Sequence, residues 1–156
     1  QTEFRTMTSG LGLLFHVFAH YAPVSEREIA SRQNGVMISN GQGTVLGYSL
    51  FNLQERGKLM CAHGDEVYEG QVIGIHSREN DLVVNPLKGK KLTNMRASGR
   101  DENIVLTTPI RYTLEQAMEF IEDDELVEIT PSSIRIRKRA LKELDRKRSG
   151  RVAESE

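Results

Sequence analysis

The sequence has few of the cysteines that form disulfides in small secreted proteins, and it lacks the long apolar runs of membrane-spanning helices. Its 156 residues include one cysteine, Cys61, and no tryptophan, and its aromatic content is 6%. A single thiol cannot form an internal disulfide, which is compatible with a reducing compartment. No apolar run approaches the roughly 18 residues that a membrane-spanning helix requires. We therefore expect one compact domain, or one domain plus a fragment, that folds by burying its own core and does not contact a membrane.

The sequence also lacks the motifs of nucleotide binding and catalysis. It has no GxxxxGK[ST] phosphate loop, and Gly10 and Gly12 are not followed by a third glycine at the dinucleotide-binding spacing. Cys61 and His63 alternate along a predicted strand, but a nucleophilic pair also needs an orienting acid and an oxyanion site, and only Asp65 is available. We predict that this chain is not an enzyme and has no catalytic residue.

Potential metal ligands do not occur at metal-binding spacings. His16 and His20 are four residues apart, but they lie in a predicted strand and are separated from Cys61 and His63 by a polar linker. The acidic run 122–125 lacks the spacing of a calcium loop. We predict no metal site and no cofactor in this chain.

Short apolar segments between turn residues predict an α+β fold that is mostly antiparallel. Asn40 and Gly41 accept positive φ angles in a tight turn, so residues 34–40 and 43–51 are predicted to form a hairpin. Thr113 and Gln116 fit a capping box at the start of a helix. The other predicted strands are 12–21, 58–62, 71–76, 81–85, 103–110, 125–130 and 133–139, and the other predicted helices are 1–9 and 140–148.

The segment 85–103, "NPLKGKKLTNMRASGRDEN", is named here the basic loop. It has no helical or strand periodicity, no acid between Asp81 and Asp101, and five cations, Lys88, Lys90, Lys91, Arg96 and Arg100. Long cations beside amides, hydroxyls and flexible glycines suit the phosphate and sugar oxygens of nucleic acid. The loop contains no aromatic residue, so we expect it to bind structured RNA by backbone and shape and not by base stacking.

Charge is also segregated near the C-terminus, although the formal net charge is −1. Residues 112–133 hold seven acids and no lysine or arginine, whereas residues 134–148 hold eight cations and two acids. The predicted strand 133–139 points its isoleucines inward and Arg135, Arg137 and Arg139 outward. Two interpretations remain open: these arginines bind RNA, or they pair with the acidic segment on the protein surface.

Five longer stretches resemble one protein family. They are "SRQNGVMISN", "VYEGQVIGIHSRENDL", "GKKLTNMRASG", "TLEQAMEFIEDDELVEITPSSIRIRKR" and "LDRKR", and they are similar to the C-terminal domain of the BipA/TypA translational GTPases. The stretch "FRTMTSGLGLLFHVFAHYAP" resembles the last helix and strand of the preceding domain, an αβ plait that corresponds to domain V of elongation factor G.

The resemblance implies a fragment of a larger protein, and the chain starts without an initiator methionine or a signal peptide pattern. It implies a domain V tail over 1–24 and a C-terminal RNA- and ribosome-binding domain over 25–148, and we expect a disordered tail over 149–156. The domain that would bind GTP or a guanosine alarmone is absent from this chain, so no cofactor is expected here.

The resemblance further implies a function in the bacterial cytoplasm, in stress adaptation and large-subunit assembly. The implied partners are the ribosome, ribosomal RNA and the acceptor end of A-site tRNA, and a monomer is expected. Carried onto this sequence, the RNA contacts are Lys88, Lys90, Lys91, Asn94 and Arg96. To these we add Arg100, His76, Arg78, Arg135, Arg137 and Arg139. The alternative function is a protein-interaction module that docks through "IEDDELVEIT" and the basic strand.

Overall fold

The computed structural model describes residues 2–23, 32–89 and 104–153. The chain divides into two units, Gln1–Ser31 and Arg32–Glu156. The division falls within the polar segment 25–33 that the sequence indicates as a linker. Among the described residues, no helix is long and apolar enough to cross a membrane.

The first unit consists of a short helix followed by an extended segment. Helix α1 spans Thr2–Met7, and Gly10, which follows it, has a φ of +84° and donates its N–H to the Arg5 carbonyl. The predicted strand 12–21 is wrong, because residues 8–23 contain no strand. A strand needs a neighbour for its backbone N–H and C=O groups, and no described residue of this unit provides one. Side chains such as Phe15 and Val17 are therefore exposed.

The described part of the second unit contains eight strands and three helices. The strands are β1 (Val36–Ser39), β2 (Gly43–Thr44), β3 (Gly57–Leu59), β4 (Glu66–Val67), β5 (Val72–His76), β6 (Leu82–Val84), β7 (Glu125–Ile129) and β8 (Ile134–Lys138). The helices are α2 (Gly47–Leu53), α3 (Leu114–Phe120) and α4 (Glu143–Ala153), and a 3-10 turn, Gln54–Arg56, follows α2. This mixture of short helices and mostly antiparallel strands confirms the predicted α+β class.

A four-stranded sheet with the order β3-β5-β1-β6 forms the centre of the second unit. Strand β1 is antiparallel to β5 and parallel to β6, and all four of its residues are buried. Successive residues of β1 face opposite sides of the sheet. Met37 packs with Leu50 and Leu53 of α2, whereas Val36 and Ile38 pack with Ala117 of α3. The sheet therefore lies between α2 on one face and α3 on the other.

Strands β7 and β8 form a separate antiparallel hairpin, as their predicted strands indicate. Their register pairs Glu125 with Lys138 and Ile129 with Ile134. The hairpin is attached to the start of β5, where Gln71 lies opposite Arg137 and the Lys138 N–H donates to the Gly70 carbonyl at 2.9 Å. Its inward side chains Val127 and Ile136 pack with the α3 cluster.

The predicted hairpin at Asn40 and Gly41 is wrong, although a turn does occur there. Both edges of β1 are occupied by β5 and β6, so β2 pairs with β4 instead. Residues 47–53 form a helix and not the second strand of the hairpin. One of the buried positions of this helix is occupied by the polar residue Ser49. The apolar residues alone therefore do not show the periodicity that predicts a helix.

Four further expectations differ from the structure. Residues 104–110 contain no strand, and β3 ends at Leu59, so Cys61 and His63 do not share a strand face. The helical spacing of Leu114, Ala117, Met118 and Ile121 predicts one inward face, but the Met118 side chain on α3 is exposed. Helix α4 continues to Ala153, so residues 149–153 of the predicted disordered tail are helical, and residues 154–156 lie outside the described residues.

Candidate functional site

The N-terminal stem of the basic loop is held by α2 and the residue before it. The Ser49 hydroxyl donates to the Asn85 carbonyl at 2.5 Å, and the Leu46 N–H donates to the Pro86 carbonyl at 3.1 Å. Leu87 packs against the core cluster that contains α2. Lys88 follows directly and is exposed. The chain therefore leaves the sheet after β6 at a fixed position, and Lys88, the first cation of the basic loop, is exposed to solvent.

The C-terminal stem is held by Gln54, directly after α2. The Gln54 side-chain amide donates from Nε2 to the Val105 carbonyl at 3.1 Å, and its Oε1 accepts the Thr107 N–H at 3.1 Å. One side chain therefore satisfies both backbone groups that a neighbouring strand would satisfy. Leu106, between these two residues, packs against the core.

Helix α2 and the turn after it therefore fix both ends of the basic loop. The two hydrogen-bonding side chains, Ser49 and Gln54, are separated from their partners by 36 residues and by more than 50 residues of sequence, respectively. Neither could be recognised from the sequence, because no local pattern marks a contact over such distances. The predicted contacts Lys90, Lys91, Asn94, Arg96 and Arg100 lie in 90–103, outside the described residues.

His76 and Arg78 do not join Lys88 at one surface. His76 is only 6% exposed, and its Nδ1 lies 2.6 Å from the Asn80 carbonyl in the turn between β5 and β6. This buried position argues against a direct RNA contact by His76. Arg78 is exposed in the same turn, before β6, whereas Lys88 follows β6. The two cations thus lie at opposite ends of that strand.

Among the described residues, the arginines in and directly after β8 form no ion pair with the acidic segment, although Arg135 lies opposite Glu128 in the strand register. Arg135 and Arg137 are half-buried and Arg139 is exposed, and within the described chain none of the three forms an ion pair. Beside them, the Tyr68 hydroxyl donates to Glu128. Burial and the Glu128 carboxylate raise the pKa of Tyr68 despite the nearby arginines, so it is a neutral hydrogen-bond donor at neutral pH.

The acidic residues are instead paired with two cations that no sequence pattern marks. Lys138 is 2% exposed, and its Nζ lies 2.6 Å from Asp81, 2.8 Å from Asp124 and 3.0 Å from Glu125. Its position on β8 has the same parity as Ile136, so alternation places it inward. A lysine can occupy that position only because carboxylates surround its ammonium group.

Arg32 is the second of these cations. Its guanidinium binds Glu125 with two hydrogen bonds of 2.9 Å, lies 3.3 Å from Glu122 and stacks over the Phe120 ring at 4.5 Å. We name the five residues Arg32, Asp81, Asp124, Glu125 and Lys138 the buried charge cluster after its buried members Glu125 and Lys138; Asp81 and Asp124 are exposed at its edge. Oxygens of Glu122, Asp124 and Glu125 are close enough to hold a metal ion, but these two cations already bind them.

The other candidate ligands have ordinary structural roles. Burial, helped by Asp65, raises the pKa of the Cys61 thiol to about 12, so this cysteine is protonated at neutral pH. His63 is exposed, and its Nδ1 lies 3.1 Å from the Gly47 N–H nitrogen and 3.1 Å from the Val45 carbonyl. The absence of a metal site in this chain remains a prediction.

The buried charge cluster predicts that stability falls in acid. Burial acts to raise the pKa of Glu125, but Arg32 and Lys138 outweigh it and lower the pKa below the ordinary value of 4.5. A lowered folded-state pKa contributes stability above the unfolded pKa, and this contribution is lost as pH falls through the folded pKa. We expect constant melting temperatures from about pH 5 to pH 8 and a decline below about pH 4.5.

The matched variant for this pH dependence is Glu125→Gln, which cannot ionise. We expect it to melt at a lower temperature than the unsubstituted chain at pH 7 and to show a shallower decline between about pH 5 and pH 3. Thermal melting followed by circular dichroism across this range tests both statements. Parallel pH profiles for the two proteins would show that Glu125 is not the titrating group.

Comparison with known proteins shows which family the chain belongs to. Residues 34–143 match the model of the TypA/BipA C-terminal domain family. The chain is 66% identical over 152 residues to the large ribosomal subunit assembly factor BipA of Escherichia coli strain K12 and 65% identical over 153 residues to that of Haemophilus influenzae. These matches cover 97% and 98% of the chain but 25% of each relative, so the chain spans about a quarter of their length.

Proposed function

Because the chain belongs to the TypA/BipA C-terminal domain family, we propose that it is the ribosome- and RNA-contacting module of a protein that acts in assembly of the large ribosomal subunit. The observation that carries the proposal is the basic loop, which has no acid before Asp101 and whose two stems are fixed by α2 and Gln54. Because the two ends of this cationic segment are already fixed, binding a polyanion does not have to include the entropic cost of ordering them.

The proposed RNA contacts come from two parts of the chain. Within the basic loop they are Lys88, Lys90, Lys91, Asn94, Arg96 and Arg100, which would bind phosphate and sugar oxygens of ribosomal RNA and of the acceptor end of A-site tRNA. The second part is the outward face of β8, where Arg135, Arg137 and Arg139 are free of ion pairs with described residues. His76 is not retained because it is buried.

The wider properties of the parent protein are part of the same proposal. We propose a translational GTPase of the bacterial cytoplasm that associates with ribosomes and functions in stress adaptation. GTP or a guanosine alarmone would bind a domain outside this chain, and the chain itself would be a monomer without cofactor. The large share of each relative that lies outside the matched region leaves room for such a domain.

The alternative function, docking of a protein through the acidic segment and the basic strand, is disfavoured by the structure. Glu125 is buried and bound by Arg32 and Lys138, and Glu122 and Asp124 are already paired with the same two cations, so fewer free carboxylates remain for a partner. The two functions differ in one measurable property, which is affinity for RNA in the absence of protein.

The test is equilibrium binding of the chain to purified large-subunit ribosomal RNA at several salt concentrations. Neutralised phosphates release counterions, so the logarithm of affinity should fall linearly with the logarithm of salt concentration. A linear decline supports the proposal. A chain that binds assembled ribosomal proteins but shows no affinity for the RNA would replace it with the alternative function.

We also expect this chain to hydrolyse no nucleotide. It lacks a phosphate loop, and its one cysteine, Cys61, is buried. The measurement is GTP turnover by the purified chain through successive chromatographic steps. Turnover that follows the protein peak at constant specific activity would contradict the expectation.

A further prediction concerns Gln54, whose amide holds the C-terminal stem. Gln54→Leu should weaken RNA binding by about 3- to 10-fold, because a smaller fraction of molecules holds the loop correctly. The salt slope should stay unchanged, since no phosphate-binding cation is removed. The matched control is Gln33→Leu, at an exposed glutamine before β1. A changed salt slope, or equal effects in both variants, would contradict a positioning role for Gln54.

A further inference from the structure

The solvent face of α2 carries two aromatic side chains. Tyr48 is 36% exposed and Phe51 is 40% exposed, three residues further along the helix. The opposite face buries Ser49, Leu50 and Leu53 against the sheet, so the direction of the aromatic pair is fixed by the core. Residues three apart on a helix are neighbours, with about 5–6 Å between their Cβ atoms. The two rings therefore form one apolar surface.

These two are the exposed aromatic residues of the second unit. The other aromatic residues that follow residue 31 are Tyr68, Tyr112 and Phe120, and each has a structural partner. Tyr68 donates to Glu128, Tyr112 packs on Phe120 with 5.2 Å between ring centroids, and Phe120 lies beneath Arg32. Core packing thus accounts for those three rings but not for the exposed faces of Tyr48 and Phe51.

The surroundings of the aromatic pair are cationic at both ends of the helix. Gly89, next to exposed Lys88, lies against Leu46 immediately before α2. Exposed Arg56 lies in the turn that follows the helix, beside one exposed acid, Glu55. Helix α2 itself carries no charged side chain. An apolar aromatic surface between two cations matches a nucleotide, which has a flat base and an anionic backbone.

We propose that Tyr48 and Phe51 form a stacking surface for unpaired RNA bases, next to the stems of the basic loop. This inference rests on the proposed function and adds the class of RNA that the site takes, namely a single-stranded or looped segment. Every base has a π face, so stacking on aromatic side chains tolerates different sequences. The basic loop has no aromatic residue, so α2 would supply a contact that the loop cannot make.

The absence of tryptophan makes a direct optical test possible. Phe51→Trp introduces a single tryptophan into the chain, and its fluorescence is a specific reporter of this face. The probes are a 12-nucleotide oligoadenylate and an RNA duplex of the same length, at concentrations that saturate binding. We expect strong quenching by the single strand and little by the duplex, whose bases are already stacked. Equal or absent quenching overturns the inference.

Affinity measurements with alanine variants give an independent readout. Tyr48→Ala and Phe51→Ala should each weaken oligoadenylate binding by about tenfold, whereas Tyr48→Phe and Phe51→Tyr should bind as the unsubstituted chain does. The control is Met118→Ala, at a 63% exposed side chain of α3, which packs on the other face of the sheet. Melting temperatures of all variants identify any loss that comes from unfolding.

The outcomes separate this inference from the proposed function. If the alanine variants keep full affinity for oligoadenylate while the chain still binds ribosomal RNA, the stacking surface is overturned and the proposed function stands. If they lose binding to ribosomes but not to oligoadenylate, the face contacts a ribosomal protein and the inference is overturned. If the unsubstituted chain binds no RNA at all, both are overturned.

Discussion

The simultaneous replacement of Lys88, Lys90, Lys91 and Arg96 by alanine is expected to flatten the salt dependence of RNA binding by roughly 3 units on a log–log scale. Each cation that neutralises one phosphate contributes roughly 0.7–0.9 to this slope, so four contribute roughly 3. Lys88 is exposed, and surface substitutions usually change stability by no more than about 0.5 kcal/mol each. The measurements are RNA affinity at several salt concentrations and thermal melting.

The companion to the loop variant is the triple change of Arg135, Arg137 and Arg139, the second proposed RNA contact, to alanine. These arginines form no ion pair within the described chain, so we expect this variant to keep its melting temperature within a few degrees. If the arginines bind phosphates, its salt slope should also flatten, by roughly 2–3 units. An unchanged slope and affinity in the loop variant would show that the basic loop does not contact RNA.

The second large effect is expected at Glu125, which belongs to the buried charge cluster. Its side chain is 0% exposed and accepts hydrogen bonds from Arg32, Lys138 and the Glu122 N–H. Glu125→Ala should lower the free energy of unfolding by about 3–5 kcal/mol, because two largely buried cations lose a shared carboxylate. For a domain of this size such a loss is a large part of the total stability.

Two further variants separate charge pairing from packing in this cluster. Glu122→Ala removes a longer contact to Arg32 from a side chain that is 35% exposed, and we expect a loss of about 0.5 kcal/mol. Glu125→Leu combined with Lys138→Met should recover part of the loss seen in Glu125→Ala, because it removes a buried charge on both sides. Denaturant titration measures all three. Equal losses for Glu122→Ala and Glu125→Ala would contradict the proposed importance of burial.

The sequence correctly predicted those helices and strands that are determined by residues within them or next to them. The apolar runs of β5 and β6 are bounded by turn residues, and the capping box at Thr113 is present at the start of α3. Alternating side chains identified β7 and β8. In each case the residues that determine the element lie within it or next to it.

The elements that escaped prediction depend on residues distant in sequence. The Asn40 turn did not produce a hairpin because β5 and β6 compete for both edges of β1. The sequence alone predicts that Lys138 is an exposed cation like its neighbours. Its burial depends on Asp81 and Glu125, which the fold places beside it. The hydrogen bond from Ser49 of α2 to the stem of the basic loop and the burial of His76 likewise follow from tertiary packing. Of the candidate site, only the exposure of Lys88 could be expected from the sequence.

The buried charge cluster also constrains the order in which this domain can fold. Arg32 stands at the start of the second unit and is separated by 93 residues from Glu125, and Lys138 lies further on, near its end. Contacts between such distant residues require most of the chain to be closed into a loop, so they form late. Interactions absent from the transition state mainly slow unfolding. We therefore expect the long-range contacts of Arg32, unlike the local Glu125–Lys138 pair of the β7–β8 hairpin, mainly to slow unfolding of the completed domain.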